Sequence, residues 1–410
     1  MKLEEVNLYD LDTWEQRVPH DMFALLRQQA PVFWQKEPQG GPGFWAVTKY
    51  ADVVHVSKHP KLFSSWRGGT NIFDLPQEEL GQVRMMLVNM DPPQHTKYRR
   101  LVSHGFTPRR IAELEPHVRD LARRIIDRVA TKGQCDFVTE IAAELPLQVI
   151  AELLGIPQED RHLVFDWSNR LIGFDDPEFQ TSMEDGKRAA AEMWAYAHTL
   201  AEKRKRDPQN DLISRLLHAE VDGERLTELE FDFFFLLLAV AGNETTRNLI
   251  SGGMLALFEH PEQKERLLAH PELMPTAVEE MLRWVSPVIC FRRTATADTE
   301  IRGQRIREGD KVVIFYISAN RDEEVFDHAD QFDIARSPND HIAFGIGEHY
   351  CLGANLARME IRVMFEEILS RLPDMELAGP PRRLRSNFIS GIKSMPVRFT
   401  PERRRVAAGA

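Results

Sequence analysis

The sequence predicts a mainly α-helical chain with a smaller β region, an α+β protein built as one domain. Three observations carry this. Apolar residues recur at helical spacing from Ile111 to about His218, broken only near Gly155-Ile156-Pro157 and Asp175-Asp176-Pro177, so several antiparallel helices are expected. Thr227-Glu228-Leu229-Glu230 is a capping-box start, and no proline follows before about Glu259; at about 1.5 Å per residue this helix would be roughly 48 Å long, enough to cross a domain. Strand-like stretches lie mainly within residues 1–65, near 290–317 and near 385–400, outside a helical body at 91–285 and 354–372.

Length and composition narrow the possibilities. A chain of 410 residues admits two or three domains, but no Pro/Gly/Ser-rich linker, charge block or repeat divides it, so one domain over 1–410 is expected. The net charge of −11 disfavours nucleic acid or an anionic membrane as the main partner. Charged residues from Lys2 to Asp21 interrupt every apolar run near the N-terminus, so neither a signal peptide nor a membrane anchor is expected. Cys135, Cys290 and Cys351 form no CxxC and no even disulfide set, which suits a reducing cytoplasm.

Taken in order, Pro31–Lys36 and Gly43–Thr48 flank a Gly-Gly-Pro-Gly turn and read as a β-hairpin. The interval from Ser64 to Met90 holds no steady period. Asp91-Pro92-Pro93 opens a helix with its prolines in the first turn, and His95 and Arg99, four apart, share one face. The charged run from Lys203 to Asp211 reads as a solvated turn.

Within the long helix, Ala241-Gly242-Asn243-Glu244-Thr245-Thr246 costs on the order of 1 kcal/mol of helix propensity, and such a local cost often marks function. The plain alternative for Thr245 is a hydroxyl bonded back to its own backbone. Helical steps back from Thr245 place Ala241, Leu238, Leu237 and Phe234 on one face, a stripe that serves as core more often than as pocket wall. Pro275 begins a further helix, ended by Ser286-Pro287, in which Glu280 and Arg283 can meet at a spacing of three. Strand-like sequence follows from Val288 through Ala295 and at Asp298–Ile306 and Lys311–Ile317.

The stretch around which the rest is organised is Phe344-Gly345-Ile346-Gly347-Glu348-His349-Tyr350-Cys351-Leu352-Gly353, running straight into a helical pattern at Ala354. Two glycines let the backbone turn tightly about the sulfur, and a helix N-terminus and a bound metal both lower a thiol pKa, so Cys351 is well placed to be an anionic ligand. A lone cysteine is more often an inert core residue. Gly345-Ile346-Gly347 also starts like a dinucleotide fingerprint, but Tyr350 stands where its third glycine belongs.

The string matches Phe-Gly-x-Gly-x-His-x-Cys-x-Gly at every fixed position, and through it the chain resembles the cytochrome P-450 superfamily, the haem-thiolate monooxygenases. That resemblance implies haem b between the long helix and the cysteine-loop helix, with Cys351 as iron ligand and Phe344, Gly345, His349 and Gly353 in the cofactor loop. It implies that His95, Arg99, Arg293 and His341 reach the haem propionates. Ala241 and Gly242 would leave room for dioxygen and for a kink in the helix, Thr245 would hydrogen-bond the dioxygen, and Glu244 would connect it to a proton supply. Phe234, Leu237, Leu238, Val288 and Ile289 would line the substrate pocket, and Glu280, Arg283 and Arg336 would form a buried scaffold network.

The resemblance also implies partners. Electrons would come from NAD(P)H through a ferredoxin reductase and an acidic ferredoxin meeting Lys97, Arg100, Arg109, Arg110, Arg358 and Arg362, with Arg358 and Arg362 on the outer side of their helix. A cytoplasmic monomer is expected. Finer likeness in Ala241–Asn248, Ser318–Phe326 and Phe388–Val397 is to the soluble bacterial group that hydroxylates sterol side chains and methyl-branched lipids at a terminal carbon. Terpenoid or macrolide hydroxylation is the alternative within the superfamily; a peroxide-driven peroxygenase and a haem sensor are the alternatives outside that chemistry.

Overall fold

In the computed structural model, which describes residues 1–403 apart from 210, 219, 222 and 223, the fold is arranged around one helix. It runs Glu228–Glu259 without a break. Its start is closed reciprocally: the Glu230 N–H donates to Thr227 Oγ1 at 3.2 Å, and the Thr227 N–H donates to the Glu230 carboxylate at 2.8 Å. Most of its residues between Phe231 and Leu257 are buried, as expected of a helix apolar on nearly every side. Helices Glu144–Leu153, Arg161–Ile172, Met183–Arg206, Met274–Val285 and Ala354–Arg371 pack around it, and Pro108–Val129 lies against Ala354–Arg371.

The β region sits beside this body. Its main sheet has strands β1 (Val32–Gln35), β2 (Phe44–Val47), β3 (Phe63–Ser64), β4 (Cys290–Ala295) and β5 (Lys311–Phe315) in the spatial order β1-β2-β5-β4-β3. The β1–β2 pair is the hairpin, in register Val32↔Val47 and Trp34↔Trp45. β5 adds parallel to β2 and antiparallel to β4, which ties the N-terminal strands to those that precede the cysteine loop. A second small sheet joins Gln134–Asp136, Glu376–Leu377 and Pro396–Arg398.

Two local expectations are corrected. The helix after Asp91 begins at Gln94, so the prolines precede its first turn; Asp91 itself holds the junction, its carboxylate accepting from the Ser65 N–H at 2.8 Å and from the Ser64 hydroxyl. The run from Lys203 to Asp211 is no solvated turn. Lys203–Arg206 finish a helix, and Arg204, largely buried, pairs with Asp211 and donates to the Gly155 carbonyl at 2.9 Å. Asn210 in that run lies outside the described residues. Among the described residues no helix is long and apolar enough to cross a membrane.

Candidate active site

Gly345 and Gly347 take φ of +71° and +79°, the left-handed region that side chains avoid. A Cβ on Gly347 would also lie 2.9 Å from the Ser57 carbonyl oxygen. The loop they form is closed by the Cys351 N–H donating to the Phe344 carbonyl at 2.8 Å, and helix Ala354–Arg371 starts immediately after Gly353. A Cβ on Gly353 would meet nothing within 4 Å, so the ground beside the helix start is open.

The helix end by itself does not favour the thiolate. Burial pushes the Cys351 thiol pKa up, and the Gly353 N–H, Arg99 and Arg358 only partly oppose it. Backbone N–H groups at one helix end do not outweigh removal from water; a thiolate at Cys351 requires a bound metal to stabilise it.

A cluster of basic side chains faces this ground. The His95 and His349 rings lie 4.3 Å apart, centroid to centroid, and His349 Nε2 is 3.3 Å from Ser65 Oγ. Arg99 donates to the Tyr350 carbonyl at 2.6 Å, and Arg293, 4% exposed, donates to the Arg292 carbonyl at 2.8 Å. Neither arginine has a carboxylate partner among the described residues, and His95 Nδ1 is buried without any partner. Burial, then Arg99 and Arg293, bring His95 down to about 4, and burial with the same arginines and His95 drives His349 well below its usual value. Glu348 acts on Arg99 and Asp91 on Arg293, but neither forms an ion pair with them among the described residues, and four basic side chains left so make a pocket for an anion.

His341 does not join them. Its Nε2 lies 3.0 Å from Glu279 Oε2, and Arg358 holds both oxygens of that carboxylate at 2.7 and 2.9 Å. Glu279, also missed in the sequence, gathers His341 and Arg358 into a separate network.

On the central helix the accessible residues are few. Ala241 is exposed and Leu237, Leu238, Gly242 and Thr245 are half-buried, in the middle of a helix otherwise enclosed by protein. Such a stripe faces a space that the neighbouring elements leave open. Phe234 is not part of it: the ring is buried and stacks on Tyr98 at 6.0 Å. Gly242 makes room for a neighbour rather than for a gas molecule, since a Cβ there would come within 2.8 Å of Ile150 Cδ1, and the helix carries no interruption at that point. Thr245 Oγ1 donates to the Ala241 carbonyl at 2.9 Å. Glu244 is buried and pairs with Arg247, whose other nitrogen donates to Asn169 Oδ1 at 2.9 Å. Burial pushes the Glu244 carboxyl up, against the pull of Arg247.

Arg247 stands three residues after Glu244 and could have been found by helical spacing. Asn169 could not, because 78 residues separate it from Arg247. Val288 is half-buried, whereas Ile289 is fully buried in the apolar cluster of Leu8, Phe23 and Phe315 and faces no pocket.

Glu280 accepts from Arg283 at 2.8 Å through both oxygens, from Arg336 Nε at 3.1 Å and from the Asp333 N–H at 2.9 Å. Arg283 then reaches the carbonyls of Asn320, Ala329 and Gln331, which ties the meander before the cysteine loop to helix Met274–Val285. Arg362, expected to point outward, pairs instead with Glu115 and Glu366.

Among the described residues no group of three His, Cys, Asp or Glu side chains could hold a bare metal ion. A lone sulfur retains only a metal that brings its other ligands with it. A macrocyclic iron cofactor with acidic side arms fits what is present: Cys351 would give it a sulfur ligand, the ground at Gly353 is open, and His95, Arg99, Arg293 and His349 would take the acids. Fold and site together define a haem-thiolate oxygenase.

Comparison with known proteins agrees. The Cytochrome P450 family profile matches residues 134–376. The steroid C26-monooxygenase of Rhodococcus jostii is 46% identical over 97% of this chain and 85% of its own length. A methyl-branched lipid omega-hydroxylase of Mycobacterium tuberculosis is 45% identical over 97% and 95%. Among solved structures, a Mycobacterium marinum cytochrome P450 in complex with pseudoionone superposes with a TM-score of 0.88 at 41% identity, covering 94% of this chain and 96% of that one. The chain belongs to the cytochrome P450 family and is a P450 monooxygenase.

Proposed function

We propose that this monooxygenase hydroxylates the terminal carbon of a sterol side chain or of a methyl-branched lipid. The accessible stripe Leu237, Leu238, Ala241 and Thr245 carries the reading: an aliphatic wall ending at one hydroxyl suits a narrow apolar chain presented end-on. The 44–46% identity to the steroid C26-monooxygenases and the methyl-branched lipid omega-hydroxylases supports it.

When bound, the haem supplies oxygen activation, its sulfur ligand favouring cleavage of the O–O bond. This chain's residues do the rest. Cys351 would provide the sulfur, and His95, Arg99, Arg293 and His349 would hold the cofactor's acids. Thr245 spends its own proton on the Ala241 carbonyl, so its oxygen lone pairs can accept a hydrogen bond from the cavity. Glu244, with its carboxyl pKa raised by burial, is suited to take up and release a proton behind that hydroxyl, and Arg247 sets how readily it does so.

Electrons arrive from NAD(P)H through a reductase and an acidic ferredoxin, with the chain working as a cytoplasmic monomer. Docking falls to the groove of about 310 Å³ lined by Pro108, Ile111, Pro275, Asn355 and Met359 beside the cysteine helix. Arg109, 92% exposed, and Arg110 follow Pro108 in the chain and share the single carboxylate of Glu113, which leaves one positive charge over, whereas Arg358 and Arg362 are offset by Glu279, Glu115 and Glu366.

Titrating the purified haem protein with sterols, branched fatty acids and terpenes, while following the spin-state shift and then the product, tests this. Terminal alcohols from sterol or branched chains, dependent on ferredoxin and NAD(P)H, are expected. Ring hydroxylation, or a response to terpenes alone, overturns it in favour of a terpenoid hydroxylase, the second reading, which the pseudoionone-bound relative favours. Equal turnover on peroxide without ferredoxin points to a peroxygenase.

A further inference from the structure

A second cationic cavity lies away from the haem ground, between the C-terminal end of the central helix, the end of helix Met274–Val285 and the start of helix His20–Gln29. It holds about 220 Å³, and Arg17, His20, Arg321 and Arg383 contribute to its lining. Arg321 is 8% exposed, stacks on the Trp284 ring at 3.6 Å and donates to the Trp284 carbonyl at 3.2 Å, yet its Nε has no partner. His20 Nδ1 is buried and also unpartnered. Among the described residues neither Arg321 nor Arg383 forms an ion pair. Arg17 is engaged by Asp21, and Glu259, an exposed residue at the rim, is the one carboxylate in the lining. Leu255, Val285 and Ile317 supply an apolar floor.

Charge in this cavity is unbalanced. A buried guanidinium with an empty N–H is costly unless something accepts from it. Burial, then Arg321, Arg27, Arg383 and Arg17, press His20 well below its usual value. Arg321 is brought down to about 9 by burial, then by Arg283 and Arg27, against the pull of Glu280 and Asp330. The planar N–H edge of arginine matches the oxygens of a carboxylate or phosphate.

We infer that this cavity is a binding site for a small oxyanion, a carboxylate or phosphate group with at most a short apolar tail, held by Arg321, Arg383 and His20. The occupant neutralises the cluster and ties the N-terminal helix, the end of the central helix and the C-terminal strands together. The site uses no residue of the oxygenation machinery, and the inference stands whether or not the substrate proposed above is correct.

Calorimetric titration of the haem-loaded enzyme with sodium phosphate, and separately with sodium butyrate, against sodium chloride at equal ionic strength tests it. Saturable one-to-one binding of phosphate or butyrate is expected, with chloride giving none and the haem spectrum unchanged; which of the two saturates tells a phosphate source from a carboxylate source. Arg383→Gln and His20→Gln are each expected to weaken that binding at least tenfold while leaving substrate-induced spin shift intact. If one variant fails to fold, the other carries the test. No saturation beyond chloride, or binding undiminished in the folded variants, overturns the assignment.

Discussion

Replacing Arg247 with alanine strands a carboxylate inside the protein. Glu244 is 1% exposed, Arg247 is its ion-pair partner, and Glu244 Oε1 has no partner at all. Removing one member of such a pair costs about 3–5 kcal/mol if the other stays charged. Glu244 escapes part of that penalty by taking a proton, because burial already pushes its carboxyl up with Arg247 in place. The sign follows from proton counting. Above the ordinary value of 4.5 the unfolded carboxyl is deprotonated while the folded one keeps its proton. The folded state then binds more protons, and stability falls by about 1.4 kcal/mol for each pH unit across that window. By contrast, Asn169→Ala removes one hydrogen bond to a charged group, about 1.5–3 kcal/mol, and leaves the pair intact. Urea unfolding should rank parent above Asn169→Ala above Arg247→Ala, with the deficit of the last growing as pH rises above the unfolded value of 4.5. An Arg247→Ala protein within about 1 kcal/mol of the parent at neutral pH, or a deficit that shrinks as pH rises, would refute this reasoning.

Four further outcomes are expected. Cys351→Ser should leave a protein whose reduced, carbon-monoxide-treated haem no longer absorbs as a thiolate complex, read directly from the spectrum. Arg293→Ala or Arg99→Ala should each weaken haem retention by about 1.5–3 kcal/mol, measured as transfer to a haem acceptor, because each removes a charged donor for the cofactor's acids. Glu280→Ala leaves Arg283, fully buried, without its acid, and should lower stability by about 3–5 kcal/mol in urea while the haem spectrum of the folded fraction stays normal. Burial raises the Glu279 carboxyl, but hydrogen bonds from His341 and Arg358 win and bring it down to about 2. That stabilisation is full above the unfolded value of 4.5 and is lost as pH falls towards 2, so Glu279→Gln should flatten the acid limb of the stability profile in that window.

The chain's periodicity and punctuation reached far. The capping box at Thr227, the glycines before Cys351 and the spacing of Glu280 and Arg283 are local signals, readable because a helix or a tight turn is decided by neighbours in the chain. What went astray turned on surroundings. Phe234 and Ile289 sit at plausible positions in the pattern, but which side of an element meets a cavity is set by what packs opposite. Gly242, expected to leave room for dioxygen, leaves room for Ile150, a residue on another helix. His341, which the family resemblance assigns to a haem propionate, is held by Glu279.

By itself the order of residues determined the helical body, the long spine and the cysteine held by a left-handed glycine loop, since each rests on short-range sterics and spacing. Only the folded arrangement decided that four basic side chains meet beside Cys351 with no ion pair to balance them among the described residues, that burial raises its thiol pKa, and that a second cationic cavity exists. The physical reason is that desolvation and charge balance depend on every segment brought near, and those segments come from residues hundreds of positions apart.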